Sequence, residues 1–527
     1  SFGGHLDGNN CSIRGVNVSA TTPKASLFYC VLKGGSIKNL SAYGTVSGGQ
    51  YVGGIVGRSF GTLLNLTNYI NVTQSGANGG GGVAGGTTSS SYTEGCVNYG
   101  TIECVTGHNK TAGITGLGEG GIKNCVNFGT INGNSLAGGV VGESFAAQNL
   151  CENLVNYGTV TTKTNAGGVI GQSSAPVVKN IINYGFVQNS TTGDGATNFT
   201  AGAVGCVKLG ALSNLVNYGN VEGSARVAGI TGQVDSTGTT TFDNCYNYGR
   251  ISCGHKTNSY IGGILGAAKA ATVTACINYG EVVGKGYYVG GILGVVTTSG
   301  NMVINNCENH ANISGSSNAV GGIVGGPVNE TKGEVTVSGC TNTGDITGPS
   351  MVGGIVGKIA GTINNCHVDG CEVVATANLV GDAWDNGDKV GGIVGYSEPN
   401  AANTPAASIE NCSVKNTYIS AFRDVAGIVG AYYYGDNLKN NAVENVNVIA
   451  VQRESVNPGY YKDANIGYVV GRDLLNAYSA KEDNANTTAN SDIRVLYAEG
   501  AELNVNSFDA SEHRLEISSA NGLAWFS

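Results

Sequence analysis

The sequence predicts an all-β fold: a right-handed parallel β-solenoid (β-helix) of about fourteen glycine-rich repeats with a degenerate C-terminal cap. Three observations predict it. A glycine-framed apolar cluster recurs down the chain, a second Val/Ile/Tyr-rich motif recurs in phase with it, and the composition suits stacked strands better than helices, collagen or disorder.

The first motif reads Val52-Gly53-Gly54-Ile55-Val56-Gly57 and returns as Ala137-Gly138-Gly139-Val140-Val141-Gly142 and Ile261-Gly262-Gly263-Ile264-Leu265-Gly266. Fourteen copies close on glycines from Gly57 to Gly471, with spacings from 26 residues (Gly116 to Gly142) to 41 (Gly430 to Gly471). That period is about one turn of a solenoid, whose units each need a neighbour to bury their apolar face. Paired glycines permit close backbone approach at a corner. A helix here would lose about 1 kcal/mol for each interior Gly relative to Ala.

The second motif is clearest as Cys96-Val97-Asn98-Tyr99-Gly100-Thr101-Ile102 and recurs from Cys125, Leu154, Ile181, Leu215, Cys245 and Cys276, decaying from Cys307 onward. Its β-branched and aromatic residues suit strands. The Asn-Tyr-Gly step reads as a turn in which the glycine takes a positive φ.

Composition closes off other classes. Gly is 87 of 527 residues, Pro only 7, charged residues 12% and hydrophobic residues 41%, which lacks the proline of collagen and is too apolar for disorder. A net charge of -9 with no basic stripe argues against nucleic acid as a partner. No run of 18 apolar residues is present, so no membrane insertion is expected.

Eight of the fifteen cysteines (Cys96, Cys125, Cys245, Cys276, Cys307, Cys340, Cys366 and Cys412) share one repeat position with Leu154, Ile181 and Leu215. A position that accepts both Cys and Leu is expected to hold a buried, reduced thiol acting as a small hydrophobe. The recurrent Asn of the second motif is read as a stacked polar column ahead of a glycan contact. The recurrent Tyr admits two readings, a packed aromatic stack or a platform for sugar rings.

Catalytic and cofactor constellations are not found. The six histidines are scattered and outside any HExxH pattern, and GxSxG and GxxxxGK[ST] are missing, so no cofactor is expected and the chain is read as not an enzyme. One insertion carries candidate chemistry: Asp382, Asp385 and Asp388 could offer oxygens to Ca²⁺, and Trp384 could stack on a sugar. The spacing is not that of a complete calcium loop, so a solvated loop is the competing reading.

The Gly54-Ile55-Val56-Gly57 and Gly263-Ile264-Leu265-Gly266 clusters resemble the GLUG-motif repeat family, as does the opening Phe2-Gly3-Gly4-His5-Leu6-Asp7-Gly8-Asn9-Asn10-Cys11-Ser12-Ile13. The resemblance covers roughly residues 1–471. It implies a bacterial cell-surface or secreted protein of adhesin type; the zinc motif of the immunoglobulin A peptidases that carry such arrays is missing. The segment from Leu515 to Phe526 resembles the lead-in to a further array.

The expected organisation is first turns at 1–50, the repeat solenoid at 51–430, and degenerate last turns with a cap or linker at 431–527. The leading functional expectation is an extracellular stalk or adhesin segment with a host or neighbouring-cell glycan or protein as partner. A surface-filament subunit associating end to end and a glycan-active β-helix enzyme are the alternatives.

Overall fold

The computed structural model describes residues 1–20, 24–107, 109–145, 150–191, 198–236, 238, 240–254, 259–297, 300–316, 319–327, 335–359, 361–376, 387–397, 407–432, 437–452, 466–473 and 492–497. The chain divides into two compact units, residues 1–286 with 292–302, and 287–291 with 303–527. Each is a parallel β-solenoid built from three sheets, and the described residues contain no helix. In particular, no helix is long and apolar enough to cross a membrane.

In the first unit, the coil starting at Gly121 shows the plan. Strand Gly121–Asn127 and the short Ile131–Asn132 lie in one long sheet, Leu136–Gly138 in a second and Val141–Ser144 in a third. The next coil then lays Leu150–Asn156 parallel on Gly121–Asn127, with Ile122 against Cys151 and Asn127 against Asn156. Chemically like residues therefore stack on one another, rung after rung.

Along the first strand Ile122, Cys125 and Asn127 point inward, followed by Ile131, while Lys123, Asn124, Val126 and Phe128 face outward. Strict alternation would send Cys125 outward. The inserted residue is Asn124, at φ +52°, in the left-handed region. This left-handed kink, matched by Asn153 in the next rung so that the register is kept, returns Cys125 to the core. Asn tolerates that backbone better than other side-chain-bearing residues, and Asn153, Asn180, Asn214 and Asn244 repeat it. Gly95 serves in one rung; Ala275, at φ +51°, holds the same geometry without either advantage.

The glycine of the Asn-Tyr-Gly step plays a different part from the one expected. Gly100, Gly129 and Gly158 do not adopt a left-handed φ. They are glycine because successive copies stack backbone on backbone: a Cβ on Gly129 would lie 2.0 Å from the Gly100 carbonyl oxygen. The paired glycines do sit at a tight corner. A Cβ on Gly139 would meet the Gly168 carbonyl oxygen at 2.2 Å and the Asn156 side chain at 2.3 Å. The two motifs are thus complementary across the coil, because the amide of one fills the space left by the glycine of the other.

The second unit keeps the plan and changes the filling. Strands Gly361–Asn364, His367–Asp369 and Glu372–Ala375 receive Ala407–Glu410, Ser413–Lys415 and Tyr418–Ala421 in parallel register. Val368, Val414 and Val443 occupy the inward position that Asn holds earlier and pack against Gly354, Gly392 and Gly427. Coiling continues beyond Gly430, through Asn447–Gln452, on which Asp492–Tyr497 pairs. Residues 498–527, part of the expected cap or linker, lie outside the described residues.

Candidate interaction surface

The interior polar groups are consumed by architecture. In the first unit Asn68, Asn98, Asn127, Asn156, Asn183, Asn217, Asn247 and Asn278 form a fully buried column. Each Nδ2 down to Asn247 donates to the Oδ1 of the next, at 2.7–2.9 Å. The second amide proton goes to the carbonyl two residues on, as from Asn127 to Gly129 at 2.8 Å. In the second unit Asn309 donates to Asn342 in the same way. The structural reading of these asparagines is therefore the one realised; they are not exposed to a glycan.

A second amide column is exposed and was not legible in the sequence. It consists of the left-handed asparagines, with Asn153 donating to Asn124, Asn180 to Asn153 and Asn214 to Asn180 at 2.8–3.1 Å. Near the first rungs Asn65 donates to Asn39, and Asn39 to the Asp7 carboxylate. The Asn39 hydrogen bond, ahead of those from Asn9 and Lys38, lowers the Asp7 pKa to about 2.

Among the described residues, none of the fifteen cysteines is joined in a disulfide, and all but Cys11 are buried. The left-handed kink explains why Cys recurs. The thiol donates to the carbonyl two residues back, Cys125 to Lys123 at 3.1 Å and Cys412 to Glu410 at 3.2 Å, where Leu154 offers no donor. Burial pushes the Cys125 thiol well above its ordinary pKa and Cys151 up to about 11, so these sulfurs stay protonated and unreactive.

One row that faces solvent in the first unit is aromatic. Tyr43, Tyr69, Tyr99, Phe128, Tyr157, Tyr184, Tyr218, Tyr248 and Tyr279 stack in one column, with centroids 4.3–5.0 Å apart and planes within 10° of parallel. The eight rings from Tyr69 onward are 37–49% exposed. Partial desolvation, with neighbouring phenols, raises the pKa of Tyr69, Tyr184 and Tyr248 and keeps them neutral. Beside the rings runs a half-buried row, Val97, Val126, Val155, Ile182, Val216 and Ile277 among it. The geometry removes the sugar-platform reading of the rings: a pyranose needs an open ring face, and inside the column each face is covered by the next ring. The outer face of Tyr43 carries the Arg14 guanidinium at 4.2 Å.

The same two rows in the second unit are polar. Asn309 is followed by His310, and Asn342 by Thr343; Asp369, Lys415 and Glu444 follow in register. The neighbouring row reads Glu308, Thr341, His367 and Ser413. Lys415 pairs with Glu444 at 2.8 Å.

Of the insertion that carried candidate chemistry, Asp382, Trp384 and Asp385 lie outside the described residues. Asp388 is fully buried, where it accepts from the Ser350 hydroxyl at 2.6 Å and pairs with Lys389 at 3.0 Å and Arg423 at 3.2 Å. Its oxygens are occupied by protein donors. Elsewhere Glu152 is held between Lys123 and Lys179 on adjacent rungs, at 3.0 and 2.9 Å. Among the described residues, no group of three or more His, Cys, Asp or Glu side chains is placed to hold a metal ion.

Fold and columns together define a parallel β-solenoid repeat protein. No protein-family model, no curated protein and no solved structure matches the chain.

Proposed function

We propose that the chain is a non-catalytic structural and adhesive repeat segment of a bacterial cell-surface protein, in which the solenoid is the scaffold and the aromatic-aliphatic stripe of the first unit is the adhesive surface. One observation carries this reading. The second unit builds the same coils with His310, Thr343 and Asp369 at the ring positions, so the fold does not require aromatic residues there. A contiguous apolar stripe that folding does not demand marks an interaction site. The resemblance of the glycine-framed repeats to the GLUG-motif family supports a surface location, and the capture of Asp388 and Glu152 in ion pairs supports a scaffold over an enzyme.

The test is binding of the purified chain to host cells, to surfaces coated with the same chain and to arrays of extracellular proteins and glycans, beside the variant Tyr157→Thr/Tyr184→Thr/Tyr218→Thr. Binding that falls at least tenfold in the variant, with the circular dichroism of the fold retained, is the expected result. Absence of binding to any surface, or equal binding by both proteins, overturns the adhesive reading. Antibody labelling of intact source cells tests the location.

A further inference from the structure

We infer that the partner of the aromatic stripe is a second copy of the same chain, docked side by side through the first unit in an antiparallel, two-fold arrangement. The inference rests on the reading of the stripe as the adhesive surface and names what it adheres to: another copy of this chain, as on a neighbouring cell.

Three features of the stripe select a copy of itself. The first is pitch. The rings repeat every 4.3–5.0 Å through nine positions, so a long partner with a different spacing drifts out of step before the stripe ends, whereas a second copy matches at every rung. The second is the exposed chemistry. With ring faces covered, the stripe offers ring edges and methyl groups, a flat wall that suits another flat apolar wall and interdigitates with it as stacked sheets do. The third is area. Eight rings exposed by 37–49%, at about 200 Å² per aromatic side chain, present roughly 600–800 Å². Adding the half-buried aliphatic row brings the stripe to about the 800 Å² per partner of a stable interface.

A two-fold axis closes such a contact and leaves no free copy of the patch. Full overlap places the axis at the fifth ring, Tyr157, sets Tyr69 opposite the partner's Tyr248, and sets Tyr43 opposite the partner's Tyr279. At the two ends, Arg14 lies over Tyr43, and Glu281, two residues after Tyr279, is held by Arg250 at 2.8 Å with both side chains about half exposed; the antiparallel overlap sets Arg14 beside that ion pair at both ends.

The experiment uses the full chain in a Cys11→Ser background, since Cys11 is the one exposed cysteine. Sedimentation over a concentration series should show a dimer that Tyr157→Thr/Tyr184→Thr/Tyr218→Thr weakens at least tenfold, with unchanged circular dichroism. A mild added oxidant, which takes the two electrons of each disulfide formed, should convert most of a Tyr157→Cys variant to covalent dimer. Tyr69→Cys alone should stay at background and cross-link only when mixed with Tyr248→Cys. A chain that is monomeric at every concentration overturns the inference, as does a triple variant that dimerises like the parent or a Tyr69→Cys variant that links to itself. A monomer that still binds host surfaces through the stripe leaves the adhesive reading standing, so the two failures are distinct.

Discussion

Replacing Asn127 by valine probes whether the buried amide column contributes as a connected unit. Asn127 donates to Gly129 and Asn156, both at 2.8 Å, and accepts from Asn98 at 2.7 Å. Valine is the natural substitute, since Val368, Val414 and Val443 fill the same position later in the chain. In the middle of the column it leaves one proton of Asn98, the Oδ1 of Asn156 and the carbonyl of Gly129 without these partners. Each costs about 1 kcal/mol or more, partly offset by burying the valine methyls, so the net loss is about 2–3 kcal/mol. Asn342→Val is the end-of-column control. Asn342 accepts from Asn309 at 2.7 Å and donates to the Gly344 carbonyl at 2.9 Å, but in the following rung its Nδ2 meets only the Cys371 sulfur, at 3.6 Å, so two strong partners are orphaned instead of three and the loss there is about 1–2 kcal/mol. Repeat arrays need not unfold in a single step, so amide hydrogen exchange is the appropriate assay. The amides of Phe128 and Tyr157, bonded to the Asn98 and Asn127 carbonyls at 2.8 Å, should lose protection by a factor of roughly 30–150. In Asn342→Val the amide of Thr343, bonded to the Asn309 carbonyl at 2.9 Å, should lose less, by a factor of roughly 5–30. Less than a threefold change in Asn127→Val, or equal effects of the two substitutions, would refute the idea that the column acts as one connected unit.

Ala275→Asn should stabilise the first unit by about 1 kcal/mol, seen as a higher melting temperature, because asparagine accepts the left-handed backbone that alanine resists. Gly139→Ala should destabilise by about 3 kcal/mol or more, because its Cβ would fall on the Gly168 carbonyl and Asn156; Gly254→Ala, with nothing within 4 Å, should be silent in the same melt. Iodoacetamide at pH 8 should modify one cysteine per folded chain, Cys11, and all fifteen after unfolding; a second rapid equivalent under native conditions would contradict the buried thiols. Because burial raises the Cys151 pKa from 9.0 to about 11, its contribution is fully present below pH 9 and is lost as pH rises toward 11. That is about 2–3 kcal/mol, and Cys151→Ala should flatten that part of the pH profile.

Much of the fold is readable from residues close together in the sequence. The period of the glycine clusters, the alternation of Val and Ile, and the shared Cys and Leu position are local patterns, and a solenoid repeats local patterns in space. What was missed depends on register. Nothing adjacent to Gly113 in sequence shows that the Oδ1 of Asn127 fills its missing Cβ position, because that contact crosses the coil. The positive φ expected at the glycine after Tyr99 belongs to the residue before Cys96, since a kink inside a strand leaves no turn signature. A pointer was present all the same: Asn stands immediately before Cys125, Leu154, Ile181, Leu215 and Cys245. The covered ring faces were likewise unreadable, because sequence alone does not distinguish a stack from a row of separate platforms.

The two amide columns of the first unit run in opposite senses. Each buried asparagine down to Asn247 donates toward the later rung, whereas the exposed Asn39, Asn65, Asn124, Asn153, Asn180 and Asn214 donate toward the earlier rung, a direction anchored by the Asp7 and Glu94 carboxylates, which can only accept. In the rungs where both columns run, their side-chain dipoles therefore oppose each other along the winding direction, and a rung that carries both asparagines adds moments of opposite sign. Polarity accumulates less with copy number than one column alone would make it. Gene-level gain or loss of a whole repeat consequently carries little electrostatic penalty, and the limit on array length passes to the chemistry of the two ends.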